Sequence, residues 1–214
     1  MLTTLKITLN GALVLLALFF AFALGHLWQW LGMLALLFVF LGEALLSRWM
    51  PIARWVRDPF PTGMFCFALA QASYAAGLWR SLYVVPTLHA LVPGMPVGLS
   101  LIASFLPIAL LAAVLSWVLL ALRSGAPGIL RWGALPYGAL SWLAMAFACA
   151  AAFTGADIIW QLPLGALLWL LADGVLAAHL FRDRFPHETG VQWFTWFLRL
   201  SAQTLLLIGL FFLR

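Results

Sequence analysis

Three charged side chains in this 214-residue chain sit where hydrocarbon would otherwise run unbroken: Glu43 in LGEALL, Asp173 in GALLWLLADGVLAAHLF and Arg199 in FLRLSAQ. Gln71, Tyr74, Tyr137 and Gln203 are the polar residues in comparable positions, with Asn10 and His179 nearer the ends of their runs. Two carboxylates are what acid–base chemistry needs, one to hold a proton and one to orient and activate water. A carboxyl shielded from water holds its proton more tightly, so one of a pair can serve as an acid near neutral pH. Other chemistries lack their residues. There is no HExxH, no CxxC and no His/Cys cluster with metal spacing. Nor is there a GxSxG elbow or a Gly-rich phosphate loop ending in Lys, so a covalent serine hydrolase or a metal hydrolase has no support.

The elements that position these residues follow from composition. The chain is 66% hydrophobic and 8% charged, with a mean hydropathy of +1.10, against roughly 25% charged residues in a soluble domain. It reads as an all-α integral membrane protein, because lipid offers the backbone no hydrogen bonds and only helices or closed barrels satisfy their own. Runs of about 20 apolar residues, the length of a span, occur seven times, at 8–24, 29–48, 62–80, 99–122, 134–154, 158–180 and 192–212. Breaks fall at Pro51, Pro59–Pro61, Pro86, Pro93–Pro96, Gly125–Gly128 and Pro186. Lys6 before the first run resembles the start of a signal peptide, but the next span follows at once, so the segment is expected to be a retained helix. The two cysteines, Cys66 and Cys149, lie in apolar runs and say nothing of redox compartment. No internal repeat stands out, and a single transmembrane domain over 1–214 is expected.

With seven spans, one side receives Lys6, Arg48, Arg54, Arg57, Arg123, Arg131, Arg182 and Arg184, and the other only Arg80 and Arg214. That asymmetry predicts a cytoplasmic N-terminus. It also explains the net charge of +5 without nucleic acid, since the basic residues are spread over short loops. The Arg-over-Lys and Trp-rich bias suggests a GC-rich bacterial source, hence the inner membrane. On this topology Glu43, Gln71, Tyr137, Asp173 and Arg199 come from five helices yet share a layer roughly 5–15 Å below the cytoplasmic surface, at 1.5 Å per residue. Ionisable groups at such depth face a bundle interior or a wet cavity. Plainer readings stay open. Asp173 and Arg199 would pair simply to hold helices together, Glu43 beside Ser47 and Arg48 would snorkel to the interface, and Tyr137 and the tryptophans would be interfacial anchors. His89 and His187, in loops, are expected to be solvated.

Several of these stretches carry a joint pattern: Lys6 in LKITLNG; Gly42 and Glu43 in LGEALL; Phe60, Gly63, Phe67, Gln71 and Tyr74 in FPTGMFCFALAQASY; Tyr137 in LPYGALSWLAM; Gly165, Asp173, Leu176 and Ala177 in GALLWLLADGVLAAHLF; and Gln203 in SAQTLLLIGL. In this order, over nearly the whole chain, they resemble the YhhN / lysoplasmalogenase family of multi-span membrane proteins, and the GALLW…AD…LAAH block is the most specific part. Departures are visible. Glu43 stands where the family usually has Asp, Gln71 where it has His, Ala172 where it has Ser, and Arg199 near a common aromatic. The family normally has eight spans, so the first is expected to be missing here.

The resemblance implies cleavage of the vinyl-ether bond of lysoplasmalogens, without a cofactor, to a fatty aldehyde and a glycerophospho-alcohol. The implied partners are a lysophospholipid or related single-chain lipid and the surrounding membrane lipids. Asp173 and Glu43 would form the acid/base pair, with Asp173 the proton donor. Tyr74 and Tyr137 would orient water or the ether oxygen, with Gln71 and Gln203 as further substrate contacts. Lys6 and Arg199 would hold the lipid phosphate, or Arg199 would instead neutralise Asp173. The alternative is a non-enzymatic protein that binds or moves lipids or small amphiphiles through the same pocket. A proton-coupled transporter fits less well, because transporters are often built from paired repeats.

Overall fold

The computed structural model describes residues 2–49, 51, 54–56, 58–84, 97–122, 124–153, 159–182 and 188–212. Among them are seven long helices and no strand: α1 (Leu2–Leu24), α2 (Leu27–Leu46), α3 (Pro59–Val84), α4 (Val97–Trp117), α5 (Gly128–Ala152), α6 (Gln161–Arg182) and α7 (Glu188–Phe212). A π-helical turn, Val118–Leu122, prolongs α4. Six of the helices are long and apolar enough to cross a membrane. The seventh, α3, has ample length at 26 residues but is more polar, carrying Gln71, Ser73, Tyr74, Arg80 and Ser81. The chain is thus a helical, multi-pass membrane protein, and each expected apolar run corresponds to one helix. Pro86, Pro93–Pro96, Pro186, His89, His187, Arg57, Arg123, Arg184 and Arg214 lie outside the described residues.

Helix ends differ from the apolar runs where capping chemistry overrides hydropathy. The second run extends to 48, yet α2 stops at Leu46. There Arg48 takes a left-handed φ of 50°, Trp49 N–H returns to the Ala44 carbonyl at 2.8 Å, and Arg48 N–H to the Leu45 carbonyl at 3.0 Å. This is the Schellman closure that satisfies the last helical carbonyls. α3 begins three residues before its run, because Asp58 accepts from Phe60 N–H at 3.2 Å and Pro59 supplies a first-turn residue that needs no donor. α5 starts at Gly128 rather than 134, since Arg131, Trp132 and Gly133 interrupt hydropathy without interrupting hydrogen bonding.

The chain divides into two compact units, residues Met1–Arg80 and Ser81–Arg214. In the first, Gly25 at φ +71° turns α1 into α2. Further along, α2 and α3 approach through facing glycines: a Cβ on Gly42 would stand 3.1 Å from the Gly63 carbonyl. In the second, Trp117 Nε1–H donates to the Arg131 carbonyl at 2.8 Å and Trp142 Nε1–H to Ser116 Oγ at 3.3 Å, tying α4 to α5. α6 and α7 pack most closely, where a Cβ on Gly165 would meet the Ala202 carbonyl at 2.9 Å.

Candidate functional site

The second unit holds a polar cluster built from three helices. On α6 the residues Leu162, Ala166, Trp169 and Ala172 are buried at helical spacing, and Asp173 borders that stripe. On α7, Thr195, Arg199, Ala202 and Leu206 form the corresponding buried stripe, spaced three and four apart as a helix face requires. On α5, Tyr137 and Ser141 are one turn apart, followed by buried Ala144, Ala148 and Ala151. These small residues let the neighbouring backbone come close enough for side chains to cross.

Each Asp173 oxygen has its own partners. Arg199 Nη2 donates to Oδ1 at 3.1 Å. Tyr137 O–H donates to Oδ2 at 2.9 Å, and Ser141 O–H reaches the same oxygen at 3.4 Å. The Ser141 hydroxyl is also 3.3 Å from the Tyr137 carbonyl of its own helix. A hydroxyl has one proton, so it serves one of these acceptors at a time. Trp169, one turn before Asp173, interacts with both Asp173 and Tyr137. The side chains of Arg199 and Asp173 are 3% and 11% exposed, so the carboxylate is the more accessible partner. A guanidinium only donates and keeps its charge. Oδ1 is therefore anchored, and Oδ2, flanked by hydroxyls that both give and take protons, is the oxygen suited to proton exchange.

Of the expected site residues, the structure brings Tyr137, Asp173 and Arg199 into direct contact. Arg199 lies on the carboxylate, the arrangement in which it neutralises Asp173. Gln203, one turn further along α7, is buried, and its Nε2 has no hydrogen-bond partner among the described residues. Glu43, Gln71, Tyr74 and Lys6 belong to the first unit. Glu43 is buried in the last turn of α2, and Gln71 and Tyr74 are buried one turn apart on α3. The Lys6 carbonyl accepts from Asn10 Nδ2 at 2.9 Å on α1. Two residues of the cluster, Ser141 and Trp169, were not expected. Their signal was spacing: each lies four positions from an expected residue on the same helix, Ser141 after Tyr137 and Trp169 before Asp173.

Six helices long and apolar enough to cross a membrane, with ionisable groups buried within the helices of each unit, define a polytopic helical membrane protein. The YhhN family description matches residues 3–210, nearly the whole chain and both of its units, and the chain belongs to the YhhN family. No curated protein and no solved structure matches it.

Proposed function

We propose that this protein is a membrane-embedded hydrolase that cleaves the vinyl-ether bond of lysoplasmalogens. The observation that carries the reading is Asp173 itself, a membrane-depth carboxylate with one oxygen fixed by Arg199 and the other facing two hydroxyls. Membership of the YhhN family supports it. A vinyl ether opens when its outer alkenyl carbon takes a proton and the adjoining C–O unit becomes an oxocarbenium. Water then adds to the oxygen-bearing carbon of the oxocarbenium and loses a proton, and the hemiacetal collapses to a fatty aldehyde and a glycerol hydroxyl. In this scheme Oδ2 of Asp173 gives the first proton and takes one back from the adding water, so the net change is consumption of one water. Tyr137 and Ser141 hold the proton-bearing oxygen in place, and Arg199 stabilises the carboxylate left after transfer. Glu43 is proposed as a second carboxylate on the strength of the resemblance and is tested separately.

The test is release of fatty aldehyde from lysoplasmenyl-ethanolamine by the purified protein in detergent, with the saturated alkyl-ether lipid as control. Aldehyde from the vinyl ether alone, lost in Asp173→Asn, supports the hydrolase. Folded protein that yields none favours the second reading, a lipid-binding or lipid-moving protein in which the ion pair only joins α6 to α7. The direct Arg199–Asp173 contact is the observation on that side.

A further inference from the structure

The connection from α2 to α3 places an arginine before a tryptophan twice, at 48–49 and again at 54–55. α2 is long and apolar enough to cross a membrane and ends at Leu46, so the residues just beyond it meet the headgroup layer. Trp49 turns back onto Phe40, with ring centroids 6.2 Å apart. Arg48, Arg54 and Trp55 are exposed, Trp55 to 78%. The Arg54 guanidinium lies 5.2 Å from the Trp55 ring centroid, a cation–π contact that does not use its N–H donors. Among the described residues neither arginine has a carboxylate partner, and Asp58, the acid of this connection, caps α3 through Phe60 N–H. Arg48 adds a second observation. It closes α2 at a φ of 50°, in the left-handed position that glycine normally takes. A long side chain there strains the backbone and gives the turn nothing that glycine lacks. What it adds is an exposed charge at the end of a span.

We propose that the α2–α3 connection is a docking surface for anionic phospholipids, with Arg48 and Arg54 taking headgroup phosphates and Trp55 seated among the glycerol esters. Charge complementarity calls for an anion, since two exposed arginines have no acid spent on them. Trp55 calls for an interface, because an indole with an apolar body and one N–H donor settles where hydrocarbon meets water. A soluble anion would leave that ring in water. A guanidinium's planar fork matches a phosphodiester through two N–H groups, whereas a zwitterionic lipid offsets its phosphate with its own ammonium. Such docking is independent of whether any lipid is cleaved.

Binding of phosphatidylglycerol and phosphatidylcholine to the full-length protein in a neutral detergent, read by native mass spectrometry, tests this, alongside the Tm of each lipid-free protein. Wild type should prefer phosphatidylglycerol by roughly tenfold or more at low salt, and the preference should shrink as salt rises. Arg48→Gly and Arg54→Gln should each lower the preference about fivefold, and the double variant should abolish it. Arg48→Gly should melt no lower than wild type, because glycine suits that φ. Arg54→Gln changes an exposed side chain and reads the charge independently of that turn. Arg80→Gln is the control. Also an exposed arginine beside a tryptophan, towards the other end of α3, it should leave the preference within about twofold. Soluble glycerophosphoglycerol should not compete. Equal binding of the two lipids by wild type overturns the proposal, as does a double variant that keeps the preference. A loss in Arg80→Gln equal to that in Arg54→Gln would mean that charge alone attracts the lipid, and competition by the soluble headgroup would mean that any phosphate suffices. Either result overturns it too.

Discussion

Arg199 and Tyr137 meet Asp173 on different oxygens: Arg199 Nη2 lies 3.1 Å from Oδ1, while Oδ2 accepts from the hydroxyls of Tyr137 and Ser141. The contact has two possible purposes, and substitutions separate them. Asp173→Asn should lower aldehyde release at least a hundredfold, the scale of a lost acid–base group. It should also destabilise the fold, because the buried guanidinium then faces a neutral amide in place of a carboxylate. Asp173→Leu combined with Arg199→Met removes both charges and should recover the stability without the activity. Recovery of turnover in the double variant would show that Asp173 has no chemical role. Denaturant melts and aldehyde assays on the same preparations read both effects.

Tyr137→Phe should cost more turnover than Ser141→Ala. The tyrosine hydroxyl is 2.9 Å from Oδ2, and the serine hydroxyl, at 3.4 Å, is shared with a backbone carbonyl. Hydrogen bonds weaken with length, so we expect losses on the order of tenfold or more for the first and a few-fold for the second. Both variants should fold, with stability changes near 1 kcal/mol. Equal activity in Tyr137→Phe and wild type would detach Oδ2 from the reaction.

The α6–α7 seam gives a steric prediction. Gly165→Ala would bring a methyl to 2.9 Å from the Ala202 carbonyl, backbone that cannot swing aside, and should destabilise by about 1–3 kcal/mol. Gly174→Ala, beside Asp173 but with open space at its Cβ, should be neutral or stabilise the helix by up to about 1 kcal/mol. Thermal melts of the two variants would decide, and equal Tm values would contradict the close approach.

Glu43→Gln keeps the size of a buried side chain in α2 and removes only its charge. If Glu43 takes part in the chemistry, kcat should fall by tenfold or more while the saturated alkyl-ether lipid, which is not cleaved, still binds. Undiminished kcat would restrict the acid–base work to Asp173.

The helices were legible because a bilayer imposes one requirement, a long apolar run; six of the seven helices meet it, and α3 has the length but is more polar. Their ends were less so. The early stop of α2 depends on Arg48 adopting a left-handed conformation, which an arginine does not advertise, whereas Asp58–Pro59 at the start of α3 is a cap that its residue types do suggest. The π-helical turn at Val118–Leu122 had no signal, because VLLAL is equally suited to an α-helix. Within the site, the ion pair was legible as one of two options for Arg199. Ser141 was not, since serines in helices ordinarily bond back to their own carbonyls, and only its register with Tyr137 aims it at Asp173.

The pairing of Asp173 with Arg199 bears on how the chain enters the bilayer. An arginine near the middle of a span costs about 2.5–3.5 kcal/mol to insert alone, and an aspartate similarly. α6 and α7 are consecutive and meet through these two residues. Synthesised one after the other, they can leave the insertion machinery as a single hairpin whose charges already cancel. The last quarter of the protein then carries, on its own two helices, the counter-charge that makes burying Arg199 tolerable.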